Sequence, residues 1–277
     1  ISLPLKRKMR MRDARSLQRT SDMLAGALGP KIGTALGDPD ITEIMVNPDG
    51  QLWFDRHGEG RVMSGHVLAE ADVERVIRLV ASHIGRDATA RSPIVSAELP
   101  ISGERFEGCL PPVTPAPCFS IRKPAGRVIT LDEYIVSDVM PAHHAEALRA
   151  AVSDKSNILI VGGTGSGKTT LANALLAEIA ATGDRVVLLE DTRELQCAAE
   201  DVVQMRTQPG VASLSDLVRS TLRLRPDRII IGEVRGGEAL DMLKAWNTGH
   251  PGGIATLHAN SELAGLHRLE QLIGEAS

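Results

Sequence analysis

A chain of 277 residues, 43% apolar and 24% charged, has the composition of an ordinary folded protein, and no apolar run is long enough to span a bilayer. A net charge of −4 and an aromatic content of only 2% argue against stacking on single-stranded bases and leave no strong case for direct DNA binding. The three cysteines, Cys109, Cys118 and Cys197, form no C-x-x-C pair, which speaks against a zinc ribbon or a disulfide framework and suits a reducing cytosol.

The chain opens on a basic cluster of Lys6, Arg7, Lys8, Arg10, Arg12, Arg15 and Arg19, either a contact for phosphates or lipid headgroups or simply a solvated helix face. Residues 15–36 carry apolar side chains at helical spacing and end at Gly37, before the Asp38-Pro39-Asp40 turn signal. Residues 41–46 and 51–55 around Asn47-Pro48-Asp49-Gly50 predict a β-hairpin. Val73, Val76, Ile77 and Val80 mark an amphipathic helix over 73–84. Strand-like pieces follow at 105–110 and 118–122, on either side of a proline-rich stretch. Residues 1–125 are therefore read as a small α+β domain, and 126–137, with Gly126 and weak periodicity, as a linker. From 138 to 277 the apolar runs 158–161, 186–189, 229–231 and 254–257 alternate with helical stretches at 169–181, 214–224 and 238–248. That alternation predicts a parallel sheet covered by helices on both faces.

Directly after the first of these strands, Gly162, Gly163, Thr164, Gly165, Ser166, Gly167, Lys168 and Thr169 satisfy G-x-x-x-x-G-K-[ST], with Thr170 continuing into a helix. Glycines let the backbone turn its N–H groups onto an anion, and the helix N-terminus adds partial positive charge. Lys168 is expected to reach the β- and γ-phosphates of ATP, and the Thr169 hydroxyl to bind Mg²⁺. Hydrolysis also needs a carboxylate to act on water. One candidate cluster is Glu190-Asp191 with Glu194 just beyond it. The other is Glu233, after the strand Arg228-Ile229-Ile230-Ile231-Gly232, which has a Walker B shape but carries glycine where a metal-side aspartate is usual. This assigns Glu190 or Asp191 to the metal and Glu233 to water, with Glu194 and Lys168 as further catalytic candidates. His258 ends the last strand and is a candidate γ-phosphate sensor, with His250 in the preceding turn as a second.

Taken together, 162–170, 190–196, 225–236 and 256–261 resemble, in order, the Walker A, Asp, Walker B and His boxes of the secretion ATPase family of type II and type IV secretion systems. The run 38–50 is similar to the conjugal-transfer branch of that family, so the resemblance covers most of the chain. It implies a RecA-like P-loop NTPase domain after the smaller α+β domain, a homo-hexameric ring, and ATP bound between the two domains. Arg105, in Gly-Glu-Arg-Phe-Glu, and Arg122, in Ser-Ile-Arg-Lys, sit where family arginines close over the phosphates. The implied setting is the cytoplasmic face of the inner membrane, with the subunits of a conjugative or type IV secretion channel as partners and channel assembly, pilus assembly or substrate transfer as the work done. Relatives continue with further helices and strands after the fourth block, so the ATPase domain is expected to be truncated at Ser277. The four-cysteine insertion frequent among type II members is lacking. A type IV pilus extension or retraction motor and a DNA-stimulated translocase on the same core are the alternatives; a GTPase-like switch lacks its N-K-x-D motif.

Overall fold

The computed structural model describes residues 3–100, 103–124, 126–208 and 210–275, with side chains from residue 19 onward. The side chains of the basic cluster from Lys6 to Arg15 lie outside the described residues. The chain divides into two compact units, 1–126 and 127–277.

In the first unit, helix α1 (Leu3–Gly37) precedes strands β1 (Ile41–Val46), β2 (Gln51–Arg56) and β3 (Gly60–Val67). Helix α2 (Glu70–His83) and strands β4 (Ile94–Glu98), β5 (Arg105–Cys109) and β6 (Cys118–Arg122) complete it. Helix α1 begins well before the expected residue 15 and breaks at Gly29, because Pro30 has no N–H to give and its ring blocks the preceding turn. The strands form an antiparallel sheet in the order β3-β2-β1-β6-β5-β4. One face is apolar. Ile44, Leu52, Phe106, Phe119 and Ile121 pack there with Val73, Val76, Ile77 and Val80 of α2 and Leu28 and Ile32 of α1. Period-2 alternation sends the neighbouring residues, among them Glu43, Arg105 and Arg122, to the opposite face.

The second unit opens with helices α3 (Leu131–Val136) and α4 (Ala142–Ser153), followed by β7 (Ile158–Gly162) and α5 (Lys168–Ala180). Then come β8 (Val186–Glu190), β9 (Val202–Arg206), α6 (Leu214–Thr221), β10 (Arg228–Val234), α7 (Glu238–Asn247), β11 (Ile254–His258) and α8 (Glu262–Glu275). The segment expected as a linker thus carries a helix. Thr130 and Glu133 form a reciprocal capping box at its start, and Leu131 is fully buried in the core of the second unit. The sheet is parallel, in the order β7-β11-β10-β8-β9. Alternate side chains of one strand feed opposite layers. Val186, Leu188 and Ile230 pack with α3, α4 and α5, whereas Val187, Leu189, Ile229 and Ile231 pack with α6, α7 and α8. This is the expected α/β class, a helix-covered parallel sheet of RecA-like form preceded by a smaller α+β unit. Among the described residues, no helix is long and apolar enough to cross a membrane.

Candidate functional site

Because the strands are parallel, their carboxyl ends lie along one edge, where open α/β sheets gather ligands. The register sets Gly162 of β7 opposite His258 of β11, Leu257 opposite Val234 of β10, and Ile231 of β10 opposite Leu189 of β8. The phosphate loop, His258, Glu233 and Glu190 therefore share that edge, although they are far apart in sequence. His250 does not. It precedes β11, at the other edge of the sheet, and its Nδ1 lies 3.2 Å from the Pro226 carbonyl.

The loop between β7 and α5 has the shape its glycines predict. Gly167 caps α5 at φ 90°, a backbone that side chains rarely tolerate. A Cβ added to Gly162 would meet Ser166 Oγ at 2.4 Å. Lys168 Nζ donates to the carbonyls of Gly162 at 3.0 Å and Gly163 at 2.8 Å, and stands 3.4 Å from His258 Nδ1. The Thr169 hydroxyl donates to Glu194 Oε2 at 3.3 Å.

The acidic residues separate by environment. Glu190 is only 3% exposed, and its Oε1 accepts the backbone N–H groups of Glu194 and Leu195, each at 2.8 Å. Burial pushes its carboxyl above the usual range, against those bonds. Space for it comes from Gly232, where a Cβ would lie 3.1 Å from Glu190 Cγ. Asp191 turns elsewhere, accepting from Thr207 Oγ1 at 2.9 Å, with Arg235 Nη1 3.7 Å from its other oxygen. Glu194 is thus the carboxylate that meets Thr169. Among the described residues no group of three or more His, Cys, Asp or Glu side chains forms a ready-made metal site.

Glu233 lies within the irregularity in β10 between Ile231 and Val234. Its Oε2 accepts from Arg235 Nε at 2.8 Å and also from Nη2 of the same guanidinium. His258 Nε2 is 2.8 Å from Oε1. That oxygen is buried without a hydrogen bond, so the imidazole N–H is not aimed at it despite the short contact. Burial opposes the charge of Arg235, but Glu233, Asp191 and Glu194 outweigh it and hold the guanidinium above its ordinary range. A cavity of about 290 Å³ opens beside Glu233, Arg235, Leu257, His258 and Arg268.

Three residues at this edge were missed by sequence reasoning. Arg235 grips Glu233, and Glu238 Oε1 accepts the backbone N–H groups of Arg235 at 2.6 Å and Gly236 at 2.8 Å, fixing the turn that aims it. Asn173 is 1% exposed in the apolar helix α5. It donates to the Glu194 carbonyl at 3.3 Å and accepts from Gln196 N–H at 2.8 Å, pinning the acidic loop to the helix that follows the phosphate loop. A lone Asn in that apolar run was its only signal. Arg105 and Arg122 belong to the first unit, where they are direct partners across β5 and β6 and both exposed. Glu98 stands opposite Arg105 and Glu43 opposite Arg122.

The chain is 52% identical over 269 residues to the conjugal transfer protein TrbB of Rhizobium radiobacter, covering 96% of this chain and 83% of that protein. It is 38% identical over 264 residues to the type IV secretion system protein PtlH of Bordetella pertussis, covering 84% of this chain and 77% of the relative. Its fold is similar to that of the Legionella pneumophila ATPase DotB, with a TM-score of 0.63 at 21% identity over 87% of this chain and 68% of that one. The type II/IV secretion system protein family matches residues 31–277, and with the motifs in order along one sheet edge, this chain belongs to that family.

Proposed function

We propose that this chain is an ATP-hydrolysing motor of a conjugal transfer or type IV secretion apparatus. The observation that carries the reading is the meeting of the phosphate loop, Glu233 and His258 along one edge of a parallel sheet. The similarity to TrbB over most of both chains supports the conjugative setting.

The backbone N–H groups of 162–168 and the start of α5 bind the phosphates, and Lys168 leaves its loop carbonyls for the β- and γ-phosphate oxygens. The residues present fit Mg²⁺, a hard cation that takes oxygen donors and keeps several waters. The Thr169 hydroxyl and the adjacent Glu194 carboxylate would hold it, while Glu190 and Asp191, engaged with the loop amides and with Thr207, shape the acidic loop around it. When bound, the ion offsets the charge of the terminal phosphates. Glu233 orients a water toward the γ-phosphorus and accepts its proton as the bond to the ADP oxygen breaks. Arg235 sets the direction of that carboxylate. His258, between Glu233 and Lys168, registers whether a γ-phosphate is present. Arg105 and Arg122, two like charges set side by side on the first unit, are assigned to supply a cationic pair for the phosphates. We further assign to it a homo-hexameric ring, held peripherally at the cytoplasmic face of the inner membrane against channel subunits.

The test is steady-state phosphate release from ATP by the purified chain beside Lys168→Ala and Glu233→Gln, with oligomeric mass measured in the same buffer. Turnover by a hexamer, lost in both variants while Glu233→Gln still binds nucleotide, is the expected result. Nucleotide binding by the parent without any phosphate release would overturn the motor reading.

A further inference from the structure

We propose that Cys109 and Cys118 form a dithiol site that closes reversibly into a cross-strand disulfide with a low-molecular-weight disulfide as the oxidant. Although separated in sequence by the proline-rich connection, they are direct partners in the antiparallel β5–β6 ladder. Residues directly opposite in such a ladder hold their Cβ atoms roughly 4.5–5.5 Å apart and their Cα atoms about 4.5–5.5 Å apart. A disulfide spans Cα separations of about 4.4–6.8 Å and Cβ separations of about 3.5–4.5 Å, so the backbone is already in range and closure draws the Cβ atoms together by roughly 1 Å. Both side chains are free thiols, half-buried rather than sealed, and they hydrogen-bond to each other.

The frame holds them in place. Both strands are interior to the sheet, with β4 flanking β5 and β1 flanking β6. On the opposite face, Phe106 and Phe119 pack with ring centroids 5.4 Å apart in the buried core. Sliding the ladder by one residue would drive those rings to the solvent face, so the two sulfurs stay opposite each other. Burial pushes both thiols up, Cys109 further through Cys118 and Glu107, so few thiolates exist at neutral pH and exchange quickens as pH rises.

The exchange balances. One thiolate attacks a sulfur of R–S–S–R and expels RS⁻, leaving a mixed disulfide. The second thiolate then attacks the first Sγ and expels the second RS⁻. The two protein thiols lose their protons and two electrons, and two RSH are formed. The bond fixes the strand pair whose other end carries the partners Arg105 and Arg122.

The test treats the full chain, natively folded at mildly alkaline pH, with oxidised glutathione; no nucleotide is present, so its outcome is independent of the ATPase reading. Of the three thiols, two should be lost to the bond between Cys109 and Cys118, while Cys197 either stays free or carries a single glutathione adduct identified by mass. The tryptic peptide 106–122, which contains both cysteines, should be lighter by two hydrogens and revert with dithiothreitol. Cys109→Ser and Cys118→Ser should each leave a stable glutathione adduct on the remaining cysteine. Adducts on both cysteines of the parent without ring closure, or reaction only after unfolding, would overturn the proposal.

Discussion

Arg235 holds Glu233, two residues before it, with two prongs of one guanidinium: Nε at 2.8 Å and Nη2 alongside, both on Oε2. Two donors converging on one oxygen fix where that oxygen lies, with a directionality that a lysine ammonium lacks. Under the proposed mechanism, Arg235→Ala leaves the phosphate loop intact and frees the carboxylate to rotate. Turnover is expected to fall by roughly tenfold or more, the scale of about 1.4 kcal/mol of lost orientation. Nucleotide affinity should change little, and Arg235→Lys should recover only part of the turnover. Single-turnover hydrolysis beside nucleotide titration checks this. A rise in turnover would instead identify Arg235 as a brake on Glu233.

Lys168 contributes a charge, whereas the glycines around it contribute a shape. Its Nζ now rests on the Gly162 and Gly163 carbonyls, so nucleotide binding exchanges those bonds for bonds to phosphate oxygens. Lys168→Ala removes a charged donor worth about 2–3 kcal/mol, and ATP should bind roughly 30- to 150-fold more weakly. Gly162→Ala acts differently, since the new Cβ would meet Ser166 Oγ at 2.4 Å and the loop must move. Calorimetry with a non-hydrolysable ATP analogue separates the two. Unchanged affinity in Lys168→Ala would remove the lysine from the phosphate site.

Gly232 and Glu190 should be energetically coupled. The side chain of Glu190 fills the space beside Gly232, and an added Cβ would also lie 3.6 Å from the Leu189 carbonyl. Gly232→Asp, which would restore the carboxylate usual in a Walker B strand, is therefore expected to cost about 1–3 kcal/mol through overpacking. In the Glu190→Ala background, where the obstructing atoms are gone, the same change should cost less by about 1 kcal/mol. A double-mutant cycle in urea unfolding measures this. Strict additivity would mean that the glycine is not there to admit Glu190.

The phosphate loop and α2 were legible because their information is local: a nest needs glycines at closely spaced positive-φ positions, and an amphipathic helix repeats its apolar residues within a few turns. What escaped the sequence depends on register. Cys109 and Cys118 read as unrelated cysteines until β5 and β6 align them. Glu190 and Asp191 read as interchangeable candidates for the metal, yet Gly232 on a neighbouring strand leaves the space in which Glu190 is buried and bonded to backbone amides. Strands β3 and β9 lie at sheet edges with mostly half-buried or exposed side chains, so the alternation that marks a strand is faint in them. Helix α3 was read as linker because its signal is the Thr130–Glu133 capping box and not periodicity.

The last prediction concerns stability. Asp184 joins two cations from separate elements: Lys155 Nζ is 2.8 Å from Oδ1 and Arg228 Nε 2.7 Å from Oδ2. Arg228 is 1% exposed and also donates to the Val152 carbonyl at 2.8 Å, so it ties the start of β10 to the end of α4. Burial opposes the charge on Asp184, but Lys155, Arg228 and Thr182 outweigh it and lower the carboxyl from 3.8 to about 2. A carboxyl whose folded value is depressed stabilises the fold above its unfolded value and loses that contribution as pH falls through the folded one. Stability worth about 2 kcal/mol is therefore present above roughly pH 4 and drains away toward pH 2. Asp184→Asn leaves the buried guanidinium without its counter-charge and should cost about 3 kcal/mol at neutral pH. Urea unfolding across this range should show the variant with a flatter acid limb than the parent. Parallel acid limbs would mean that the Lys155–Asp184–Arg228 cluster does not govern acid stability.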